Sequence, residues 1–320
     1  MMGGDLYAMG ALIDPAVTDA TVISLMAAGN QPICGDNPSI KGAWSRLKAR
    51  GVKCVLLPQL MTKYFPRRGA DFQNGGRSAS PAPDTGTCVS RGTYRAAMLS
   101  YLHQIDSGNL YGKPVILAYE PIYGGGRVNI GKSRMGNGGG MYGGWAAEFL
   151  SRYGGCARNR YGSIDLSVDD QIGRTDLARD WGNRGVPPEV LEACNHKFGA
   201  HLARAIDDQL DALACGYAGA FSRNVTGSKR DANGMSRLSE PAAHCECVVG
   251  VFVAYNGEDG VLMQNSWKDQ PGGGSALKMA DGQEYLLPQG CYGVFADDQA
   301  RALKSGESWH FELRQGNEWR

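Results

Sequence analysis

The hydrophobic pattern changes character after Cys215, and this change limits the chain to few architectures. Before Cys215, apolar residues recur mainly at helical spacing, and after it short apolar runs of β type alternate with turns such as Asn256-Gly257. Helices first and strands second are typical of an α+β fold with two lobes. Helices are predicted at 16–29, 44–50, 88–107, 145–153, 189–198 and 201–214, and strands at 218–221, 247–255, 260–264 and 291–295.

The same pattern divides the chain into three parts. Residues 1–64 are predicted to form an N-terminal extension, residues 65–215 a helical lobe, and residues 216–320 a β-rich lobe. Two further apolar runs, at 52–57 and 113–119, are strand candidates in the first two parts. A cleft between two lobes is a frequent location for a functional site.

Glycine is unusually frequent, with 46 residues in 320, about twice the usual share. Ten of the 21 residues from 124 to 144 are glycine, which predicts a stretch without regular structure. Within it, Gly126–Ser133 matches the phosphate-binding loop pattern. That match lacks a strand directly before it and a helix starting at its Lys-Ser pair, so nucleotide binding is not predicted.

The charges are balanced, with 33 Lys and Arg against 32 Asp and Glu. This balance gives no basis for nucleic acid or an anionic membrane as the main partner, and no apolar run of about 18 residues predicts a membrane span. The N-terminus lacks the features of a signal peptide, so we expect a cytoplasmic or virion-associated protein. The nine cysteines, an odd number, are expected to be mostly reduced and buried.

Cys88 lies at the predicted start of a helix, because apolar residues after it recur at i, i+3, i+4 and i+7. The free N–H groups and the positive dipole end at a helix N-terminus favour the thiolate, which is the nucleophilic form of cysteine. Cys88 is therefore a candidate nucleophile. The alternative is a small buried apolar residue, which is the role of most free cysteines.

His244 opens a long apolar β run, and Asn265 ends the next one. A histidine held on a strand is a well-aimed general base, and an amide oxygen that accepts from its ring N–H fixes the tautomer. Trp267 would shield that bond from water. Alternatively His244 is structural, or it binds a metal with Cys245 and Cys247. The metal alternative lacks the usual cysteine spacing and a second ligand pair, so no metal is predicted.

In order and spacing, these three residues resemble the active site of the papain family of cysteine peptidases, with 156 residues from Cys88 to His244 and 21 from His244 to Asn265. The resemblance covers about residues 65–296 and implies a papain-like fold. It also implies that the backbone of Gly139 and Gly140 pairs with a substrate chain. The segments that carry it are AHCECVVGVFVAY at 243–255, GVLMQNSW at 260–267 and GNGGGMYGGWAAEFLSRYGG at 136–155.

The sequence departs from the family at several positions. Val89 replaces the usual aromatic residue after the nucleophile, and Lys268 replaces the glycine after Asn-Ser-Trp. Ala82 stands where the family has its oxyanion-hole glutamine, and Gln73 would take that role only if residues 74–87 are an insertion. Loss of one such donor typically costs ~10²–10³ in rate.

The sequence thus predicts a cysteine peptidase that cleaves peptide or isopeptide bonds in a polypeptide substrate through a thioacyl-enzyme on Cys88, without a metal or organic cofactor. One alternative is a weak or inactive binding or structural subunit of a virion or other large assembly, which the missing oxyanion glutamine favours. The other is a Cys–His cell-wall amidase, a class that usually has a polar third residue, often His, rather than an Asn-Ser-Trp turn.

Overall fold

The computed structural model of the chain describes residues 11–66, 86–167, 174–265, 276–288 and 290–319. The helices are α1 (Pro15–Ala27), α2 (Ala43–Ala49), α3 (Gln59–Tyr64), α4 (Cys88–Asp106), α5 (Glu120–Gly125), α6 (Gly143–Arg152), α7 (Thr175–Arg184), α8 (Pro188–Ala193), α9 (Ile206–Ala214) and α10 (Ala296–Leu303). A short 3-10 helix spans Cys34–Asp36, and a π-helix at Gly126–Ile130 follows α5 directly.

The strands form one large sheet and three small pairs. The strands are β1 (Ala11–Leu12), β2 (Cys54–Leu56), β3 (Met141–Tyr142), β4 (Arg160–Tyr161), β5 (Ile164–Asp165), β6 (Phe198–Ala203), β7 (Gly219–Gly227), β8 (Leu238–Val253), β9 (Asp259–Gln264), β10 (Ala276–Lys278), β11 (Glu284–Leu286), β12 (Cys291–Phe295) and β13 (Glu307–Leu313). The large sheet is antiparallel with the order β12-β9-β8-β7-β13-β6. Strand β2 pairs with β8 on the same side as β7, next to the residue at which β7 begins.

Helix α4 lies against the middle of this sheet and is buried on almost every side. It packs on β7, β8 and β13. The predicted apolar face from Tyr94 to Leu102 is buried, and so are small residues on the opposite face such as Ala96 and Ser100. Gly92 allows the closest approach, because a Cβ there would lie 2.9 Å from Cys245 Sγ. The helix is thus a core element, and its N-terminus is fixed against β8.

Helices α2, α9 and α10 cover the opposite face of the sheet. Trp44 of α2, Leu213 of α9 and Leu303 of α10 share an apolar cluster with Val248 and Val251 of β8. Strand β8 is therefore buried on both sides, and the register shift between Val248 and Gly250 places Val248 and Val251 on the same face. The α+β class predicted from the sequence is confirmed.

Three sequence predictions about local structure are wrong. Residues 198 and 201–203, which the sequence predicts to be helical, lie in strand β6, because burial of all six residues of β6 and pairing with β13 override the helical spacing. The run 113–119 forms only an isolated bridge at Leu117. The glycine-rich segment begins with helix α5 and a π-helix, since side chains within and around it satisfy its backbone groups.

Strands from all three predicted parts of the chain meet in the large sheet. Strand β2 comes from residues 1–64, β6 from residues 65–215, and the remaining strands from residues 216–320. The boundaries at 64 and 215 remain predictions. Across the ranges that the structure describes, no helix is both long and apolar enough to cross a membrane.

Candidate active site

Cys88 is the first residue of helix α4, as the sequence predicts. The residue two positions before it, Gly86, has a φ of +56° and packs on the glycine-rich loop, where a Cβ would lie 2.2 Å from the Gly140 nitrogen. Only glycine fits this contact. The helix start and the predicted substrate-binding loop are therefore in direct contact beside the thiol.

His244 and Asn265 lie on β8 and at the end of β9, and their side chains meet. The Nε2 atom of His244 is 2.9 Å from Oδ1 of Asn265. The amide oxygen accepts, so the proton is on Nε2 and Nδ1 is the basic nitrogen of the neutral ring. The backbone N–H of Asn265 donates to the carbonyl of Gly290 at 2.9 Å, which holds the amide in place.

The Cys88 thiol lies beside the histidine-bearing strand. The backbone N–H of Cys245, the residue directly after His244, is close enough to lower the pKa of the Cys88 thiol. Thiol, imidazole and amide, separated by 156 and 21 residues in sequence, thus lie within one small region of the structure. Cys245 and Cys247 belong to the apolar cluster that contains α4. In the described part of the chain, no group of three or more metal-ligating side chains is found.

Burial controls the protonation of both groups. It raises the pKa of Cys88 to about 12, against the opposing effects of the N–H groups of Cys245, Val89 and Cys88 and the charge of Arg91. It also lowers the pKa of His244 to about 4, an effect that the bond to Asn265 opposes and the charge of Arg223 increases. In this closed arrangement the site is a neutral thiol beside a neutral imidazole, and formation of the ion pair requires the site to open.

The N-terminal segment occupies the space next to the thiol. Strand β1 pairs in parallel with β3, directly after Gly140, and lies against β7 and β8. Helix α1 then packs on α6, where Ser24 Oγ donates to Glu148 at 2.8 Å, and Thr18 Oγ1 donates to Glu307 of β13 at 2.8 Å. Cys88 is 8 % exposed and His244 is 0 % exposed, so a polypeptide cannot reach the thiol in this arrangement.

An ionic network that the sequence analysis missed lies next to His244. Arg223 is the register partner of His244 on β7, and it forms an ion pair with Glu246, both side chains being fully buried. Tyr292 OH donates to Glu246 at 2.8 Å, and Thr226 Oγ1 donates to it at 3.1 Å. A sequence signal existed, because two charged residues stand inside otherwise apolar strand segments, where they need partners.

Arg127, also missed, organises the glycine-rich loop. Its side chain is 1 % exposed and donates to the carbonyls of Gly136 and Gly140, each at 2.8 Å, and to that of Gly182 at 3.0 Å. Arg127 belongs to the segment that matched the phosphate-binding loop pattern. There Lys132 Nζ donates to the nearby Asn129 carbonyl at 2.8 Å, and no helix begins at the Lys-Ser pair.

The remaining predicted site residues have different outcomes. Gly140 lies on Gly86 and its carbonyl is taken by Arg127, and Gly139 precedes it in the same loop. Gln73, Ala82, Trp267 and Lys268 lie outside the described residues. The predicted oxyanion-hole glutamine and the predicted shielding tryptophan therefore stay predictions.

No family model matches the chain, and no curated protein matches it in sequence. Solved structures similar to it include xylellain, a cysteine protease from Xylella fastidiosa, at 13% identity and a TM-score of 0.47 over 72% of this chain and 81% of that one. The Amb a 11 cysteine protease of ragweed pollen, in its proform, has 11% identity and a TM-score of 0.45 over 98% and 88%. Bromelain from Ananas comosus has 14% identity and a TM-score of 0.38 over 73% and 91%. All three TM-scores are below 0.5, so we base the functional proposal on the site residues.

The buried imidazole should make the stability of the protein depend on acid. The pKa of His244 is about 4 in the folded state against an ordinary 6.5, so between these values the unfolded chain binds more protons. Stability is therefore complete above about pH 6.5 and falls by up to about 3 kcal/mol as the pH approaches 4. Urea unfolding at pH 7 and pH 4.5 measures this.

His244→Gln provides the matched comparison, because it removes the titrating ring and leaves the rest of the protein unchanged. The variant should lose less stability than the wild type between the two pH values. Parallel pH dependence of the two proteins would show that folding does not lower the pKa of His244.

Proposed function

We propose that the chain is a papain-like cysteine peptidase that is held in a closed, inactive arrangement. The observation that carries this proposal is the placement of the Cys88 sulfur against the backbone of Cys245, while the preceding residue, His244, is oriented by Asn265. A nucleophile at a helix N-terminus, a base on the adjacent strand and an amide that orients the base are the parts that thiol catalysis requires.

The proposed reaction is acyl transfer to Cys88 followed by hydrolysis. Nδ1 of His244 takes the thiol proton while the sulfur bonds to the carbonyl carbon of the substrate. The N–H of Cys88 donates to the oxygen that becomes negative, and Gln73 is the proposed second donor. His244 then gives the proton to the leaving amine as the C–N bond breaks, and water cleaves the thioester. Asn265 keeps the proton of the neutral ring on Nε2 throughout.

Strand β1 is the proposed cause of the closed state. It pairs with the strand after Gly140 and lies against β8, so it fills the space that an extended substrate would need. A catalytically silent binding protein is the second candidate, and the burial of His244 favours it. The two candidates differ in whether the site becomes reactive when β1 is displaced.

Displacement of β1 should expose the thiol. Ala11 is 3 % exposed within the core, so the carboxylate of Ala11→Asp cannot stay there without a large desolvation cost. Helix α1 should remain docked through Thr18 and Ser24. We expect alkylation of Cys88 by iodoacetamide to rise about tenfold or more, which corresponds to a shift of about 1.4 kcal/mol in a local opening equilibrium.

The matched control is Ala20→Asp, which adds the same charge on the exposed face of α1. It should leave the alkylation rate near that of the wild type. Equal rates in all three proteins would mean that β1 does not limit access to Cys88.

Hydrolysis of a peptide library tests the proposed reaction. Ala11→Asp protein is incubated with the library, and new termini are identified by mass spectrometry. Cleavage that disappears in Ala11→Asp/Cys88→Ala supports a peptidase. Cleavage of purified peptidoglycan without peptide-library cleavage would indicate the amidase. A folded, alkylatable protein that cleaves neither substrate would support the non-enzymatic candidate.

A further inference from the structure

Two cysteines far from the candidate active site are direct neighbours. Cys156 follows α6, and Cys194 follows α8. Their side chains are 1 % and 2 % exposed, and Cys156 is close enough to raise the pKa of the Cys194 thiol. The Tyr161 side chain contacts Cys156 as well, and its hydroxyl donates to the Ala157 carbonyl at 2.6 Å. The two thiols therefore share a closed pocket under a tyrosine ring.

The backbone holds the two cysteine segments together. Gly155 and His196 form an antiparallel bridge, with the Gly155 N–H donating to the His196 carbonyl at 2.9 Å. The carbonyl of Cys156 accepts from Ala118 at 3.0 Å, and the N–H of Cys194 donates to Val190 at 3.2 Å. Cys156 is next to one bridge partner and Cys194 is two positions from the other, so the bridge brings the two cysteine segments side by side. A disulfide needs a Cα separation of about 4.4–6.8 Å.

From this geometry we infer that Cys156 and Cys194 are a disulfide-forming pair. The oxidant is a small-molecule disulfide such as oxidised glutathione. One cysteine thiolate attacks a sulfur of the oxidant and releases one small thiol, and the second cysteine thiolate then displaces the other. The protein loses two protons and two electrons, and the oxidant is reduced to two thiols. This inference does not depend on the proposed peptidase function.

The bond should form before the pair is buried. The hydrogen bond with Cys156, and then burial, raises the pKa of the Cys194 thiol well above its ordinary value, so the folded pair contains little thiolate. The attack therefore occurs while the chain folds or opens locally. The bond would close the loop from 156 to 194, which contains β4, β5, α7 and α8. It would tie the end of α6 to the end of α8 beside the buried Arg158–Glu120 ion pair.

Cys247 and Cys291 are neighbouring cysteines that lack this arrangement. Both are paired with Gln264, on β8 and β12 respectively, with β9 between them. Two strand spacings separate them by about 10 Å, which is beyond the reach of a disulfide. These two cysteines serve as an internal control in the same experiment.

Peptide mapping tests the inference on the full chain. The reduced protein is refolded from urea in a mixture of reduced and oxidised glutathione, all free thiols are blocked with N-ethylmaleimide in denaturant, and the chain is cut with trypsin without reductant. Cleavage after Arg152, Arg158, Arg184 and Lys197 gives peptides 153–158 and 185–197, each with one cysteine. We expect them to be joined, at a mass about 2 Da below their sum.

A stability measurement accompanies the mapping. The oxidised protein should melt about 5 °C above the protein refolded in reductant, because the cross-link restricts the unfolded chain. Cys247 and Cys291 should carry the blocking group. Full blocking of both Cys156 and Cys194 after oxidative refolding, or a bond from either of them to a third cysteine, would overturn the inference. The mapping uses the wild-type chain, so it does not depend on the folding of any variant.

Discussion

Replacing Glu246 by Gln is expected to lower the free energy of unfolding by about 3–5 kcal/mol. The glutamine keeps the shape of the side chain and can still bond to Tyr292 and Thr226. It leaves the charge of Arg223 without a counter-charge at a position where both side chains are fully buried. An isolated charge in such a place costs far more than a lost surface contact. Urea unfolding at pH 7 measures the loss.

Two further variants make this test specific. Glu240→Gln removes an exposed carboxylate from the same strand, β8, and should change stability by less than about 0.5 kcal/mol. Arg223→Met with Glu246→Leu removes both charges and should recover most of the stability lost in the single variant. If Glu246→Gln and Glu240→Gln behave alike, the ion pair does not hold β7 and β8 together.

Replacing His244 by Ala is expected to reduce peptide turnover by about 10²–10⁴-fold, the usual contribution of a positioned general base. The measurement uses a peptide cleaved by Ala11→Asp protein, so that opening of the site is the same in all variants. Asn265→Leu should have a smaller effect, because it leaves the imidazole in place but removes the bond at 2.9 Å that fixes its tautomer.

His196 offers a matched control for this prediction. It is half-buried and it stacks on Trp319. His196→Gln should retain turnover close to that of the parent protein. Equal turnover in His244→Ala and His196→Gln would remove His244 from the mechanism, whatever the role of Cys88.

The sequence alone locates most of the candidate site, because each of its parts has a local signal. Cys88 starts a helix with a regular apolar period, and His244 and Asn265 begin and end apolar β runs. Strand β8 is longer than predicted, since its first four residues, which include Glu240, are exposed or half-buried and carry no apolar run. Local periodicity records burial, so it marks the buried half of an element best.

Other features depend on contacts that no local pattern records. The residues of β6 satisfy a helical spacing, yet pairing with β13 makes them a strand. The glycine-rich segment holds a defined shape because the Arg127 guanidinium binds its carbonyls. The position of β1 beside the site follows from pairing with a strand 130 residues away, where Ala11 is opposite Met141. Such long-range pairings require the folded chain.

Covalent labelling of Cys88 tests the central claim most directly. Ala11→Asp protein is treated with a peptidyl epoxide that modifies activated thiols, and the modified residue is identified by mass spectrometry. We expect one equivalent of probe on Cys88, no labelling in Ala11→Asp/His244→Ala, and no reaction at the eight other cysteines. Epoxide labelling of Cys88 that is equally fast in Ala11→Asp/His244→Ala would contradict the claim. So would a folded Ala11→Asp protein in which Cys88 reacts with iodoacetamide but not with the epoxide.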